Sequence, residues 1–215
     1  DSERVRLENG ASRTAHEIAA TIDREHAATL ALLQTLARNR YLLDGDFANF
    51  YNIIAEVTNL NVVLRDTSGQ QLVNTRLPWG APLPRANHDL DSAVIATKKP
   101  AFSGVFIGAV TKRPLTLVLV PVVINGDARY LLSASIEPQH ILDLARNFEE
   151  DQQMTAVFDR DHRYVARSPR HEEYLGKPGP ADLFAKATAQ EGTWRGPNIE
   201  ELPFFSAYVR TDMAG

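Results

Sequence analysis

Cysteine is absent from this sequence, and methionine and tryptophan occur only twice each. Without cysteine there can be no disulfide and no cysteine-ligated metal centre. No apolar run approaches the roughly 18 to 20 residues that a membrane-crossing helix needs, so none of the 215 residues reads as a span. Basic blocks are scarce as well. Lys98-Lys99 and Lys112-Arg113 are the densest and the net charge is −4, so neither a nucleic-acid groove nor an anionic-lipid patch is expected. Catalytic signatures are also missing. There is no Gly-x-Ser-x-Gly elbow, phosphate loop or dinucleotide fingerprint, and no acid pair is set apart as general acid and base, so no catalytic residue and no cofactor is assigned. The composition, 44% hydrophobic and 23% charged, is that of globular material with a real core, in one large domain or two small ones.

Helix breakers are missing from the first forty residues. Between Ser2 and about Leu43 there is no proline, and Gly10 is the only glycine. Ala15, Ile18, Ala19, Ile22, Leu30, Leu33, Leu36 and Ala37 fall within an arc of roughly 120° at helical spacing, with Arg13, Asp23, Arg24, Gln34 and Arg38 off it. A helix of that extent would reach about 60 Å, beyond an ordinary small domain. It is either a spine from which the rest of the chain hangs or a solvated helix for homodimerisation. Asp44-Gly45-Asp46 ends it.

Further on, Phe47 to Thr58 repeats apolar residues at helical spacing. Asn61–Leu64 and Gln70–Asn74 read as a hairpin around Asp66-Thr67-Ser68-Gly69. Pro78, Pro82 and Pro84 make the stretch from Leu77 to Arg85 a crossing loop. Asp91 to Lys98 is a short helix with Asp89 as its cap. Phe102–Val110, Leu115–Val123 and Arg129–Ser135 are three strands, the last two joined by a type I′ turn at Asn125-Gly126. Leu115–Val123 is continuously apolar and is expected to be covered on both faces. Gln139 to Phe148 is a connecting helix. The segment from Thr155 to Ser168 then overlays Val62 to Thr75 at an offset of 93, bringing Asp159 onto Asp66. A loop and short helix (Pro178–Gln190) and strands at Gly192–Arg195 and Pro203–Arg210 complete the chain.

The hairpin Val62 to Arg76, the run Leu115 to Glu137 and the closing piece Gly192–Gly196 with Leu202–Arg210 together resemble the double Cache domain. This is the extracytoplasmic sensor module of bacterial histidine kinases, chemoreceptors and related signalling proteins, and the resemblance spans essentially all of the chain. It implies an α+β fold: a long N-terminal helix, then two tandem PAS-like five-stranded antiparallel units, the second lacking its last strand. The boundaries it implies are a spine at 1–45, a membrane-distal ligand-binding unit at 46–138, a connecting helix at 139–152 and a membrane-proximal unit at 153–215. It further implies a small-molecule ligand in the distal unit, a homodimer through the first helix, and a periplasmic location. The output domain would be a histidine kinase or, in related receptors, a chemoreceptor or diguanylate cyclase. Asp1 in place of Met, and Met213-Ala214-Gly215 straight after a strand, read as internal ends, so membrane-spanning flanks are expected beyond them. The amino-acid-binding branch of the family carries Arg, Trp, Tyr and Asp anchors. Asp89-Leu90-Asp91-Ser92, Phe106, Gly108 and Ser135 stand at those places, so a free α-amino acid is not the implied ligand.

The candidate ligand-binding residues are Arg76, Trp79, Arg85, His88, Asp91, Phe106, Ser133 and Ser135. An indole supplies a flat wall and a guanidinium reads an anion. Phe106, Ser133 and Ser135 share a face by alternation. Each also has a plainer role: Trp79 as a loop anchor, the serines bonding within their sheet, and Asn87-His88-Asp89-Leu90-Asp91 as an acidic helix start. His88 and Asp91 could also serve a metal or a small hydrolase. Asp159, Asp161 and His162 form an acidic turn better explained by local hydrogen bonds than by a metal, and His171-Glu172-Glu173 reads as a solvated turn. A structural or protein-binding module with a filled core is the alternative to a sensor.

Overall fold

The computed structural model describes residues 2–150, 153–201 and 203–213. Leu202 and the 151–152 end of the expected connecting segment lie outside them. Two compact units are present: His26–Glu137, and Asp1–Glu25 together with Pro138–Gly215.

Helix α1 (Ser2–Leu36) contributes to both units. Of its predicted stripe Ile18, Ala19, Ile22, Leu33 and Leu36 are buried and Ala15 and Leu30 half-buried, with Arg13, Arg24 and Gln34 exposed. The helix stops short of the expected Leu43. Asn39 takes an extended conformation and its side chain accepts from the Tyr41 N–H, starting a separate turn, α2 (Arg40–Leu43). An Asn side chain competes for backbone donors in this way, and so favours a cap over a helix interior.

Within His26–Glu137, α3 (Phe47–Val57) is capped by Asp46, which accepts from the Asn49 N–H. The strands are β1 (Asn61–Asp66), β2 (Gln71–Asn74), β3 (Ala101–Phe102), β4 (Phe106–Ile107), β5 (Pro114–Ile124) and β6 (Asp127–Ile136). They form one antiparallel sheet in the order β2-β1-β6-β5-β3, with β4 also on β5. Asn125 and Gly126 both have positive φ, as the predicted tight turn requires. The strand expected over Phe102–Val110 is split in two. Ser103 donates its N–H to the Leu117 carbonyl and accepts the Leu117 N–H on its own hydroxyl, so a side chain replaces a rung and the strand bends away. Six strand segments therefore stand where five strands were expected.

The sheet has two different faces. Val62, Leu64, Val118, Val120, Leu132 and Ala134 are buried on one, where Phe47 of α3 meets Tyr130 edge-on. On the other, α4 (Asp91–Thr97) places Val94 against Leu117, Leu119 and Leu131. Residues 115–120 are buried without interruption, as a doubly covered strand requires. Helix α4 begins after Leu90 without a side-chain cap, so Asp89 does not take the expected role.

The other unit contains α5 (Pro138–Arg146), β7 (Thr155–Phe158), β8 (Tyr164–Ser168), α6 (His171–Tyr174), α7 (Ala181–Lys186), β9 (Glu191–Pro197) and β10 (Pro203–Val209). Among the described residues its strands pair as two separate antiparallel ladders, β7-β8 and β10-β9, not as one sheet. His171 is buried in α6; the solvated turn expected at His171-Glu172-Glu173 is instead a helical turn with its imidazole inside. The first part of α1 is joined to this unit by polar contacts. His16 reaches Glu191 at 2.5 Å, Arg195 donates to Glu8, and Asp23 accepts from the N–H groups of Asp212 and Met213.

The repeat at offset 93 holds at the level of individual bonds. Asp66 Oδ1 accepts from the N–H of Ser68 and Gln70, and Asp159 Oδ1 accepts from the N–H of Asp161 and Arg163. Each hairpin carries the same irregularity: Leu64 faces Val73 and Arg65 faces Gln71, while Val157 faces Ala166 and Phe158 faces Tyr164. The local-bond explanation of the Asp159 turn is the one the geometry supports.

Leu64 is fully buried at the centre of the first sheet. Leu64→Ala should cost about 2 to 5 kcal/mol of unfolding free energy, whereas Val123→Ala, at an exposed strand end, should change it by less than about 0.5 kcal/mol. Urea denaturation followed by circular dichroism checks both.

Candidate ligand-binding site

The polar residues of the sheet collect on the α4 face because of alternation and one bulge. Asn61, Val63 and Arg65 of β1 point to it, as do Ser133 and Ser135 of β6, which pair with Val63 and Asn61. On β2, regular alternation would send Gln71 and Asn74 to opposite faces. Leu72 is the extra residue of a bulge, so Gln71 lies opposite Arg65 and Asn74 opposite Val63, and both side chains reach the same face. Asn61 donates to Asn74 Oδ1 at 2.8 Å and Asn74 donates to Gln71 Oε1 at 2.9 Å, a short carboxamide ladder.

Helix α4 covers only part of this face. Between the remainder and the chain segments 86–89 and 106–111 lies a cavity of about 230 Å³. Its sheet side is Asn61, Arg65, Gln71, Asn74, Ser133 and Ser135, and its apolar side is Phe106, Leu115 and Leu117. The ring of His88 meets Phe106 edge-on at 4.5 Å. Gly69 fixes the near wall. Its φ is +88°, a conformation that favours glycine, and a Cβ there would displace the Asn87 side chain and come within 3.0 Å of the Ala86 carbonyl.

Arg65 is 1% exposed. Its guanidinium donates to both Asp91 oxygens, at 2.6 and 2.7 Å, and to the Ala86 carbonyl at 2.7 Å, while its buried Nε has no protein partner. Burial alone would raise the Asp91 carboxyl. The hydrogen bonds from Arg65 and the His88 N–H, with the Arg65 charge, outweigh it and hold the carboxyl below its ordinary value. Burial and then the positive charge of Arg65 push His88 below its ordinary 6.5, and Asp91 and Asp89 do not offset this. The imidazole beside the cavity is therefore neutral at pH 7.

Of the predicted residues, the cavity brings together His88, Phe106, Ser133 and Ser135. Arg76, Trp79, Arg85 and Asp91 lie off its walls. Arg76 pairs with Glu137 at 3.3 Å, Trp79 is 50% exposed with its ring on Tyr51, and Arg85 is exposed with its backbone bridged to Gln70. Asp91 sits behind the wall, and Arg65 occupies both of its oxygens, which removes it as half of a metal pair with His88. No group of three His, Asp or Glu residues among those described could hold a metal ion. Sequence reading passed over Arg65, Gln71, Asn61 and Asn74. The alternation Asn61-Val63-Arg65 was available as a signal for two of them, but the bulge that recruits Gln71 leaves no mark in composition.

In the other unit the equivalent positions are filled with rings. Phe158, Tyr164 and Arg167 stand where Arg65, Gln71 and Asn74 do at offset 93. Phe158 packs on Tyr164 at 4.6 Å and on Phe184 at 4.9 Å, and the Arg167 guanidinium covers Tyr174 at 4.1 Å.

Asp91→Ala leaves Arg65 unpaired and should destabilise by about 3 to 5 kcal/mol, while Arg65→Met with Asp91→Leu should restore most of that loss; denaturant unfolding of the single and double variants measures it. His88 has a folded pKa below its unfolded 6.5, so the unfolded state takes up the proton first and stability falls as pH drops through 6.5. His171 behaves the same way, and exposed His16, raised by the Ser12 carbonyl and Glu191, the opposite way. The difference between wild type and His88→Phe in melting temperature against pH isolates the His88 contribution, which should shrink in the variant.

No family profile and no curated protein sequence matches the chain. Solved structures do. Methyl-accepting chemotaxis protein X matches with a TM-score of 0.74 at 15% identity, over 100% of this chain and 96% of its own. The sensory domain of the Campylobacter jejuni chemoreceptor Tlp3, with isoleucine bound, gives 0.68 at 14%, over 99% and 91%. The sensor domain of the V. cholerae histidine kinase DctB gives 0.60 at 12%, over 94% and 89%. At these identities the likeness is one of fold. The long N-terminal helix followed by antiparallel sheet units is the double Cache fold of chemoreceptor and histidine-kinase sensor domains.

Proposed function

We propose that this chain is the extracytoplasmic small-molecule-sensing domain of a transmembrane signalling receptor, a two-component histidine kinase. The observation that carries this reading is the cavity in His26–Glu137, walled by a carboxamide ladder, two hydroxyls and a buried arginine. A core serving only for packing would be filled with apolar side chains, as the rings do at the equivalent positions of the other unit. Neighbours of this fold include chemoreceptors, one with isoleucine bound, and a chemoreceptor output would use the same domain.

In this reading residues 46–138 are the ligand-binding, membrane-distal unit and residues 153–215 the membrane-proximal unit that relays the change. Membrane-spanning segments flank the chain, the domain is periplasmic, and it senses without catalysing. Homodimerisation through α1 is supported by Ala20, Ala27 and Ala31, which recur on its exposed side. A ligand acts by its difference in affinity for two states. A hundredfold difference is about 2.7 kcal/mol, enough to bias a two-state receptor.

A metabolite screen by thermal shift tests the proposal. A ligand at 100 times its Kd should stabilise by about 2.7 kcal/mol. Ser135→Leu, which fills the cavity, should abolish that shift, and Phe106→Ala, which removes its apolar wall, should reduce it while the fold persists. A ligand whose shift is untouched by both variants, or a partner protein that alone raises the melting temperature, would exclude this cavity as the sensing site.

A further inference from the structure

The charges on the buried wall of the cavity are already matched. Among the described residues Arg65 is the only charged side chain on its buried wall, and both of its terminal nitrogens donate to Asp91. Asp89 stands exposed at the rim, and His88 is neutral. Asp91 is fully engaged too, since its Oδ2 also accepts the His88 N–H at 2.9 Å.

Uncharged hydrogen-bonding capacity is what remains open. Arg65 Nε–H has no protein acceptor but is fully buried, so it lies closed to a ligand. The ladder runs in one direction: Asn61 donates to Asn74, and Asn74 to Gln71. At one end it leaves the Gln71 amino group as a donor, and at the other the Asn61 oxygen as an acceptor. The Ser133 and Ser135 hydroxyls between them can serve either way. Phe106, Leu115 and Leu117 offer no polar atom and suit an apolar edge.

We infer that the cavity takes an uncharged small molecule with a hydrogen-bond acceptor beside a donor along one edge, an amide, lactam or ureide, and rejects carboxylates and ammonium ions. This rests on the cavity being the ligand site proposed above. A carbonyl oxygen satisfies the Gln71 amino group, and an adjacent N–H satisfies the Asn61 oxygen. A carboxylate brings a negative charge beside an ion pair that is already complete, and leaves the Asn61 oxygen facing another acceptor. An ammonium ion finds no free carboxylate on the buried wall, where Asp91 is taken by Arg65 and Asp89 stands only at the exposed rim, and it leaves the Gln71 amino group without an acceptor. A buried unmatched charge and a buried unpaired polar group are both costly, so selectivity follows from what the protein has left unpaired.

Butyramide, butyrate and butylammonium share length and shape and differ in charge. Ligand-observed NMR titration of each against the wild-type protein, Gln71→Leu and Ser135→Leu tests the inference. Butyramide should bind at least roughly tenfold tighter than either ion. Gln71→Leu should weaken the amide alone, and Ser135→Leu should abolish binding. Butyrate or butylammonium binding as tightly as the amide, or no amide binding up to about 50 mM, overturns the inference. If an ion binds and Ser135→Leu abolishes it, the chemical class is wrong and the sensing site stands. If binding survives Ser135→Leu unchanged, both fall.

Discussion

The buried pair Arg65–Asp91 joins three parts of its unit. Arg65 belongs to the central hairpin, Asp91 begins the helix that covers the sheet, and the Ala86 carbonyl, held by the same guanidinium, belongs to the segment between them. Two charges taken out of water make a poor general source of stability, because desolvation offsets most of their attraction. Their value here is positional. The pair sets how far α4 stands from β1, and that separation leaves a hollow where close packing would otherwise prevail.

The two hairpins show how one backbone solution serves different ends. Both have the acidic turn with the same two backbone donors, and both have the same bulge one turn later. The bulge gathers two side chains of the second strand on one face in each case. In the first hairpin those are carboxamides beside an arginine, which need partners and tolerate a space. In the second they are Tyr164 and Arg167 beside Phe158; Phe158 packs on Tyr164 and edge-on against Phe184, Tyr164 packs on Tyr174, and the Arg167 guanidinium covers Tyr174. The turn and the bulge shape the backbone alike in both; the side chains alone decide whether the face packs on itself.

Much of the fold was legible because it rests on periodicity and turn chemistry. The stripe of α1, the run Leu115–Val123, the Asn125-Gly126 turn and the hairpin repeat each express a local rule. The early end of α1 was not legible, because one Asn cap outweighed a continuous apolar pattern. Nor was the broken third strand, where a serine hydroxyl stands in for a backbone carbonyl. For the site, alternation put Phe106, Ser133 and Ser135 on one face. The proline-rich loop drew attention to Arg76, Trp79 and Arg85 because such residues often make pockets, yet their side chains point elsewhere. Arg65 was overlooked because a cation in an otherwise apolar strand looks like a solvent-facing residue until its acid, 26 positions later, is seen behind it.

The same loop closes off the outer border of the sheet. Beyond β2, the Gln71 N–H donates to the Pro84 carbonyl, the Ala86 N–H to that of Gly69, and the Gln70 side chain to that of Leu83. Peeling this loop back would strip those rungs and bare a strand margin on which another chain could template. The opposite rim is a two-residue strand with Ile107 62% exposed, followed by a turn around Gly108. Fewer bonds restrain it. The hollow is thus flanked by a loop pinned to the sheet through backbone bonds and by a short strand whose Ile107 faces the water.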